Sequence, residues 1–174
     1  GKPVFHYGAT LLLTQQKTMA SLPSSSEIAP KGKAAAYLYD NGTLFHGASL
    51  QGFSHLDYCN KEGLQLSCQL HPEASRCFGE FPIARHNIFA MDLVFQAMLV
   101  WVREQRDMGS LPSSFGLWTV YREVGAHEPF TLQLQVQESS STQLKAHIQL
   151  IDQQGLLLAD IKDACVTASD NLKT

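Results

Sequence analysis

This 174-residue chain lacks several features that would identify common classes of protein. Its four cysteines include no CxxC pair, so the usual spacing of zinc ligands is absent. It has no Gly-rich phosphate-binding loop, no Gly-x-Ser-x-Gly motif and no His-Glu-x-x-His motif. We therefore expect no metal ion and no cofactor of its own, and we expect the cysteines to be free thiols in a reducing compartment.

Basic charge and long apolar runs are also scarce. The net charge is -3 with a pI near 6.1, and no Lys- or Arg-rich run compensates locally, so we expect no nucleic acid partner. The longest mostly apolar run, Ile88 to Val102, contains an Asp and a Gln and is shorter than the roughly 20 residues of a membrane-spanning helix. The N-terminus has no signal-peptide pattern. These features predict a cytoplasmic protein without a membrane span.

The chain divides at a segment rich in Pro, Ser and Gly, residues 22–33, which we interpret as a linker. Residues 1–21 before it form a leader, and Val4–Thr14 is predicted to be a strand. One domain is expected over residues 34–168, followed by a tail at 169–174. Because the chain has no initiator Met, we expect it to be a piece of a longer protein. The leader strand is then a candidate for the last strand of an upstream domain.

The main domain shows strand patterns on both sides of one helix pattern. Before the helix, turn signals at Asp40–Gly42 and Asn60–Gly63 separate three predicted strands: Ala34–Asp40, Thr43–Tyr58 and Leu64–Leu70. After the helix, short polar turns separate four more: Phe115–Val124, Pro129–Gln137, Gln143–Ile151 and Leu156–Ala168. Short turns between consecutive strands favour antiparallel neighbours.

The helix is predicted over Ile88–Arg106, with Asn87 as its N-cap. From Ile88 to Val102 only Asp92 and Gln96 are polar, so the apolar surface surrounds the helix and should be buried on nearly all sides. A curved antiparallel sheet wrapped around a long central apolar helix is an α+β architecture, the hotdog fold. We therefore predict a hotdog domain.

Asp92 and Gln96 are the candidate catalytic residues. Because they lie four residues apart, they share one face of the helix. A carboxyl group in an apolar surround is suited to act as a general acid that expels a β-hydroxyl group as water, and the amide could orient it. The alternative is structural: Asp92 lies in the second turn of the helix and could bind backbone amides of the preceding loop.

Three segments resemble motifs of polyketide synthase dehydratases. Asp92-Leu93-Val94-Phe95-Gln96 resembles the Asp-x-x-x-Gln helix of that family. Upstream, a segment is similar to the family's Tyr-Gly-Pro-x-Phe-Gln-Gly: His46-Gly47-Ala48-Ser49-Leu50-Gln51-Gly52. Downstream, Leu111-Pro112-Ser113-Ser114 resembles the Leu-Pro segment that follows the central helix. The matches occur in the family's order and extend over about residues 34–168.

The resemblance implies a dehydratase that eliminates water from a 3-hydroxyacyl chain carried on the phosphopantetheine of acyl carrier protein. In that family two hotdogs stand side by side; the first supplies a histidine base in a His-x-x-x-Gly-x-x-x-x-Pro motif and the second supplies the aspartate. No histidine of this chain has a glycine four residues later. We therefore predict the C-terminal half of a dehydratase, with its base missing and the isolated chain inactive.

By this resemblance, Asp92 is the general acid and Gln96 acts beside it. The residues expected to border the substrate are His46, Gly47, Leu50, Gln51 and Pro112, whereas His127 and His147 are expected at the surface.

Within the family, the stretch from Asn87 to Val102 looks closest to the dehydratase-like region at the C-terminal end of the large ketosynthase-bearing subunit of bacterial polyunsaturated fatty acid synthases. The expected partners are acyl carrier protein, other domains of the same multienzyme, and a second copy in a possible homodimer. Two alternatives stay open: a non-catalytic hotdog that docks carrier protein or mediates dimerisation, and, less favoured, a hotdog acyl thioesterase.

Overall fold

The computed structural model describes residues 8–13, 32–72, 87–125 and 127–173. Its central element is helix α2, Ile88–Arg106, with the predicted bounds. The Asn87 side chain caps its first turn by accepting hydrogen bonds from the backbone N–H groups of Phe89 and Ala90 (3.1 and 3.4 Å). The helix ends where Asp107 adopts a left-handed conformation with φ of 55°. The prediction of this helix and its cap is confirmed.

An antiparallel sheet surrounds α2. Within the described residues it has eight strands in the order β1-β2-β3-β6-β7-β8-β4, and β5 pairs with β8 beside that path. The strands are β1 (Lys33–Ala34), β2 (Phe53–Asn60), β3 (Gly63–Gln69), β4 (Gly109–Ser114), β5 (Leu117–Val120), β6 (Pro129–Ser139), β7 (Gln143–Asp152) and β8 (Leu157–Ser169). The helix contacts β2, β3, β4, β6, β7 and β8, so the sheet wraps around it as the hotdog prediction requires.

Three of the predicted hairpins are present: β2–β3, β6–β7 and β7–β8. In the β2–β3 turn, the Asn60 carboxamide oxygen accepts from the backbone N–H groups of Glu62 and Gly63 (2.9 and 3.0 Å). In the β7–β8 turn, Gly155 adopts a φ of 80°, which favours glycine. Strand β6 alternates as expected, since Leu132 and Leu134 are buried and the glutamines between and after them are half-buried or exposed.

The predicted strand Ala34–Asp40 is wrong. Only Lys33–Ala34 pairs with β2, and the chain then turns into the short helix α1, Tyr37–Asp40. Alanines favour a helical turn, and this turn buries Leu38 fully in the core. The predicted strand Thr43–Tyr58 is also interrupted, because a 3₁₀ helix at Ala48–Leu50 precedes β2.

The predicted strand Phe115–Val124 is wrong in extent and in pairing. The chain forms β4 and β5 instead, and both pair with β8 rather than with β6. Pro112 lies within β4, a strand that the sequence analysis did not predict. A proline is tolerated here because β4 ends the sheet path and its register shifts between Pro112 and Ser114.

Several predictions fall partly outside the described residues. Of the predicted leader strand, residues 8–13 belong to no helix or strand, and the rest, like most of the linker, lies outside. Cys59, Cys68 and Cys165 are free thiols, as predicted, whereas Cys77 lies outside. No helix in the described part of the chain is both long and apolar enough to cross a membrane.

Candidate active site

Asp92 lies on a stripe of α2 that the described residues leave uncovered. Ile88 is 63% exposed, and Met91, Asp92 and Phe95, one and two turns later, are only half-buried. The side chain of Asp92 is 36% exposed, so a small molecule can reach the carboxyl group. The prediction that α2 is buried on nearly all sides is therefore wrong for this stripe and correct for the rest of the helix.

Gln96 holds the carboxyl group of Asp92 from beneath. Gln96 is 1% exposed. Its Nε2 donates to Asp92 Oδ2 (2.7 Å) and to the Leu50 carbonyl oxygen (2.9 Å). The four-residue spacing therefore brings the two side chains into contact, as predicted. In the structural alternative, Asp92 would bind backbone amides of the preceding loop. The helix is instead capped by Asn87. Residues 73–86 of that loop lie outside the described part.

Tyr39, on α1, fixes the orientation of the Gln96 amide. Its hydroxyl donates to Gln96 Oε1 (3.2 Å) and accepts from the backbone N–H groups of Gly52 and Phe53 (3.2 and 3.4 Å). Burial raises the pKa of Tyr39 to about 12, so the phenol keeps its proton and stays a donor. Sequence reasoning missed this residue because it lies in the segment that was interpreted as a strand.

His46 faces the same carboxyl group from the segment before β2. Its Nε2 lies 3.6 Å from Asp92 Oδ2, and its side chain is 12% exposed. The ring of Phe45 stacks on the imidazole with centroids 4.4 Å apart. The other ring nitrogen, Nδ1, is buried without a hydrogen-bond partner among the described residues. Burial lowers the pKa of His46, and the negative charge of Asp92 opposes this shift.

The segment from His46 to Gly52 is held against α2 at several points. Leu50 is half-buried and gives its carbonyl oxygen to Gln96, and the side chain of Gln51 donates to the His46 carbonyl oxygen (3.0 Å). Gly52 lies directly on Leu93, because a Cβ added there would come within 2.7 Å of the Leu93 Cδ1 atom. Glycine is needed at this position for the close approach of the two elements.

The predicted substrate-binding residues are only partly brought together. His46, Leu50 and Gln51 are joined to the Asp92 cluster by the contacts above, and Gly47 adjoins them in an open position. Pro112 lies in β4 opposite Val166 and is exposed, and none of the described hydrogen bonds or ion pairs connects it to Asp92. Whether any of these residues binds substrate stays a prediction.

An aromatic group that sequence reasoning missed lies on the β5 side of the stripe. Phe95, one turn after Asp92, contacts Trp118 with ring centroids 6.2 Å apart, and Phe115 packs edge-on against Trp118 at 5.5 Å. Phe115 and Leu117 are largely exposed. The open carboxyl group is therefore bordered by apolar surface that a hydrocarbon chain could contact.

A second polar cluster lies on the opposite, outward face of the sheet. His147 is half-buried at this surface, with its Nε2 2.6 Å from Asp160 Oδ1, and His127 is exposed as predicted. A concave surface of about 740 Å³ is lined by His147 and Gln149 and does not include Asp92. No group of three or more potential metal ligands occurs among the residues that the structure describes.

Comparison with known proteins identifies a matching family and a group of solved structures with a similar fold. Residues 18–174 match the family described as "Polyketide synthase dehydratase N-terminal domain". A polyunsaturated fatty acid synthase polypeptide of Thraustochytrium sp. (strain ATCC 26185 / S-3) is 32% identical over 180 residues, which cover 99% of this chain and 6% of that protein. The chain therefore spans a small fraction of this curated relative.

Solved structures of dehydratase domains are similar in fold. The dehydratase domain from the CurJ module of the curacin polyketide synthase has a TM-score of 0.63 at 16% identity, over 87% of this chain and 54% of that one. The dehydratase domain of RzxB from Pseudomonas fluorescens has a TM-score of 0.59 at 16% identity, over 86% and 53%. A hypothetical thioesterase with coenzyme A from Streptococcus pneumoniae TIGR4 has a TM-score of 0.57 at 8% identity, over 76% and 96%. At these identities the likeness establishes the fold, and the hotdog prediction is confirmed.

Proposed function

This chain belongs to the polyketide synthase dehydratase family, and on that basis we propose that it is the aspartate-bearing hotdog of a dehydratase. Its substrate is a 3-hydroxyacyl chain carried on the phosphopantetheine of an acyl carrier protein. Its partners are that carrier and the other domains of a polyketide or polyunsaturated fatty acid synthase. The chain brings no cofactor of its own to this reaction.

The observation that carries the proposal is the exposed carboxyl group of Asp92, which accepts a hydrogen bond from the buried amide of Gln96. Elimination of water needs an acid that protonates the departing β-hydroxyl group. Gln96 donates to Oδ2, so in the acid form Oδ2 is the carbonyl oxygen and Oδ1 carries the proton. Tyr39 prevents the amide from turning over, since its hydroxyl donates to Gln96 Oε1. The carboxyl group is thus oriented while its proton remains accessible.

The assignment to the C-terminal half is part of the proposal. The matching family carries a description that names an N-terminal domain. Two features of the sequence favour the aspartate-bearing half instead: the Asp92 to Gln96 motif on the central helix, and the absence of any histidine followed four residues later by glycine. In this assignment the family's usual histidine base lies outside the chain.

The apolar border beside Asp92 gives the acyl chain a place to lie. Phe95, Trp118 and Phe115 form a continuous set of ring contacts that starts one turn from the carboxyl group. An acyl chain along these rings would bring its β-carbon to Asp92 and leave the thioester toward the segment that contains His46 and Gln51. In this pose Gly47 and Leu50 border the reacting atoms, and Pro112 contacts the more distant part of the chain.

The test is turnover in the full-length synthase polypeptide that carries this chain, with a 3-hydroxyacyl carrier protein as substrate. Asp92→Asn keeps the shape and removes the acid, so we expect the rate to fall by about 10²- to 10⁴-fold. Asp170→Asn, at an exposed carboxyl group far along the chain, is the matched control and should turn over normally. Normal turnover by Asp92→Asn would refute the role of Asp92.

A non-catalytic module is the second candidate, favoured by the absence of the family's histidine motif. It would bind carrier protein or a second copy of the chain without turnover in any form of the full-length protein. Binding measured by calorimetry, together with zero enoyl product from the wild-type full-length protein, would support this alternative. The likeness to a thioesterase concerns the fold alone and does not support a third candidate.

A further inference from the structure

The imidazole of His46 meets the carboxyl group of Asp92 from a separate part of the chain. His46 precedes β2 and Asp92 is on α2, yet Nε2 and Oδ2 are 3.6 Å apart. The Gln51 side chain donates to the His46 carbonyl oxygen, and the Leu50 carbonyl oxygen accepts from Gln96. The segment that places the imidazole is therefore bound to the same amide that orients the carboxyl group.

The surroundings of the two ring nitrogens decide which of them carries the proton. A neutral imidazole has one N–H group and one nitrogen with a lone pair. Nδ1 of His46 is buried with no hydrogen-bond partner among the described residues, so an N–H group there would be unpaired. Nε2 faces Asp92 Oδ2, which already accepts a hydrogen bond from Gln96, so a lone pair on Nε2 would face another acceptor. Both observations favour the tautomer with the N–H group on Nε2.

The imidazole is also neutral. Protonation would add a second N–H group at the buried Nδ1, where none of the described residues could accept from it. Burial lowers the pKa of His46, and the negative charge of Asp92 opposes this shift. In its neutral form His46 is therefore a donor at Nε2, and it has no lone pair there with which to accept a proton.

We infer that His46 is a positioning residue for the acid: its Nε2–H group, together with the amide of Gln96, keeps the acidic proton of Asp92 on Oδ1. The inference rests on the proposed dehydratase function and adds to it a residue that acts through Asp92. It gives His46 no role as a base.

Two N–H groups converge on one oxygen of the carboxyl group. Gln96 Nε2 lies 2.7 Å from Asp92 Oδ2, and His46 Nε2 approaches the same atom to 3.6 Å. A proton on Oδ2 would meet both N–H groups, so the acid form carries its proton on Oδ1. A lone pair on His46 Nε2 would instead attract the proton to Oδ2 and away from the substrate. The Nε2–H tautomer therefore leaves the proton available to the β-hydroxyl group.

The length of the contact sets the size of its effect. At 3.6 Å the Nε2–H group acts on Oδ2 mainly through its partial positive charge, whereas Gln96 makes a full hydrogen bond. Removal of the His46 donor should therefore cost less than removal of the Gln96 donor. The loss should lie in kcat, because the group acts on the acid and not on the binding of the acyl chain.

The first measurement is the tautomer of His46 in the purified 174-residue chain at about pH 8, where an imidazole is neutral. A long-range ¹H–¹⁵N correlation spectrum distinguishes a protonated ring nitrogen from an unprotonated one. Assignment through the bonds of the side chain needs no variant protein. We expect the proton on Nε2. A proton on Nδ1, or a mixture of the two tautomers, overturns the inference.

The second measurement is turnover by the full-length synthase polypeptide with a 3-hydroxyacyl carrier protein. His46→Leu removes the donor and His46→Gln retains one, and both lose the ring that stacks on Phe45, so the pair isolates the N–H group. We expect His46→Leu to lose about fivefold in kcat with KM little changed, and His46→Gln to recover most of that loss. His147→Leu, in the outward cluster, is the matched control and should turn over as wild type.

Circular dichroism must show that the variants are folded. Wild-type kcat in His46→Leu, or equal losses in His46→Leu and His46→Gln, overturns the inference, because the N–H group would then have no role. A change confined to KM also overturns it, since His46 would then act on substrate binding alone. Asp92→Asn separates the two proposals. If Asp92→Asn is inactive and His46→Leu is normal, the dehydratase stands without this role of His46; if Asp92→Asn is normal, both proposals fail.

Discussion

Two His–Asp–Gln clusters lie within the described residues, and they differ in which member is accessible. In the cluster on α2, the side chain of His46 is 12% exposed and that of Asp92 is 36% exposed. In the cluster on the outward face of the sheet, His147 is 26% exposed and Asp160 only 10%. The acid is therefore open in the first cluster and enclosed in the second.

The contacts within the two clusters differ in the same sense. His147 Nε2 lies 2.6 Å from Asp160 Oδ1, and Gln149 Nε2 donates to the same oxygen (3.1 Å); both residues are on β7, and Asp160 is on the neighbouring strand β8. His46 Nε2 lies 3.6 Å from Asp92 Oδ2, beyond ordinary hydrogen-bond length. His147 and Gln149 also line a concave surface, and their two contacts enclose the carboxyl group of Asp160.

The largest expected difference between the clusters concerns their glutamines. Gln96→Leu removes the donor that orients Asp92 and leaves the Tyr39 hydroxyl and the Leu50 carbonyl oxygen without this partner. We expect dehydration to fall by about 10²-fold and the free energy of unfolding to fall by about 1–3 kcal/mol. Gln149→Leu, in the outward cluster, should leave turnover unchanged, because His147 still contacts Asp160. Equal losses of turnover in the two variants would contradict the comparison.

The next effect concerns the glycines of the segment that places His46. Gly52→Ala brings a Cβ within 2.7 Å of the buried Leu93 side chain, so we expect a loss of about 1–3 kcal/mol of unfolding free energy and reduced turnover. Gly47→Ala is the matched control for stability, because nothing lies within 4 Å of a Cβ there. Chemical denaturation of both variants measures the difference. An unaffected Gly52→Ala would show that the segment does not depend on this close approach.

The local sequence pattern correctly predicted those elements that are marked by a cap, a continuous apolar run or turn residues. Helix α2 has an Asn87 cap, an unbroken apolar run and no Pro or Gly before Gly109, and its bounds match the structure. The hairpins carry Asn and Gly in their turns, and they also match. Asp92 and Gln96 were identified because a four-residue spacing on a helix is a local relation.

The parts that failed depend on relations between distant residues. Tyr39 reaches Gln96 only because α1 turns back toward α2, and the short segment around it is compatible with either a strand or a helix. Pro112 fits a strand only because that strand ends the sheet path. The approach of His46 to Asp92 follows from the packing of two elements, and spacing along the chain does not encode it.

Removing the Tyr39 hydroxyl should have a smaller effect than removing the Gln96 amide. In Tyr39→Phe the backbone N–H groups of Gly52 and Phe53 lose an acceptor, and Gln96 keeps its bonds to Asp92 and Leu50. We expect a loss of about 1 kcal/mol in unfolding free energy and roughly a tenfold loss of turnover, since the amide is less firmly held. Thermal melts and turnover assays on the same samples measure both. A tenfold loss without any loss of stability would place Tyr39 in the reaction itself.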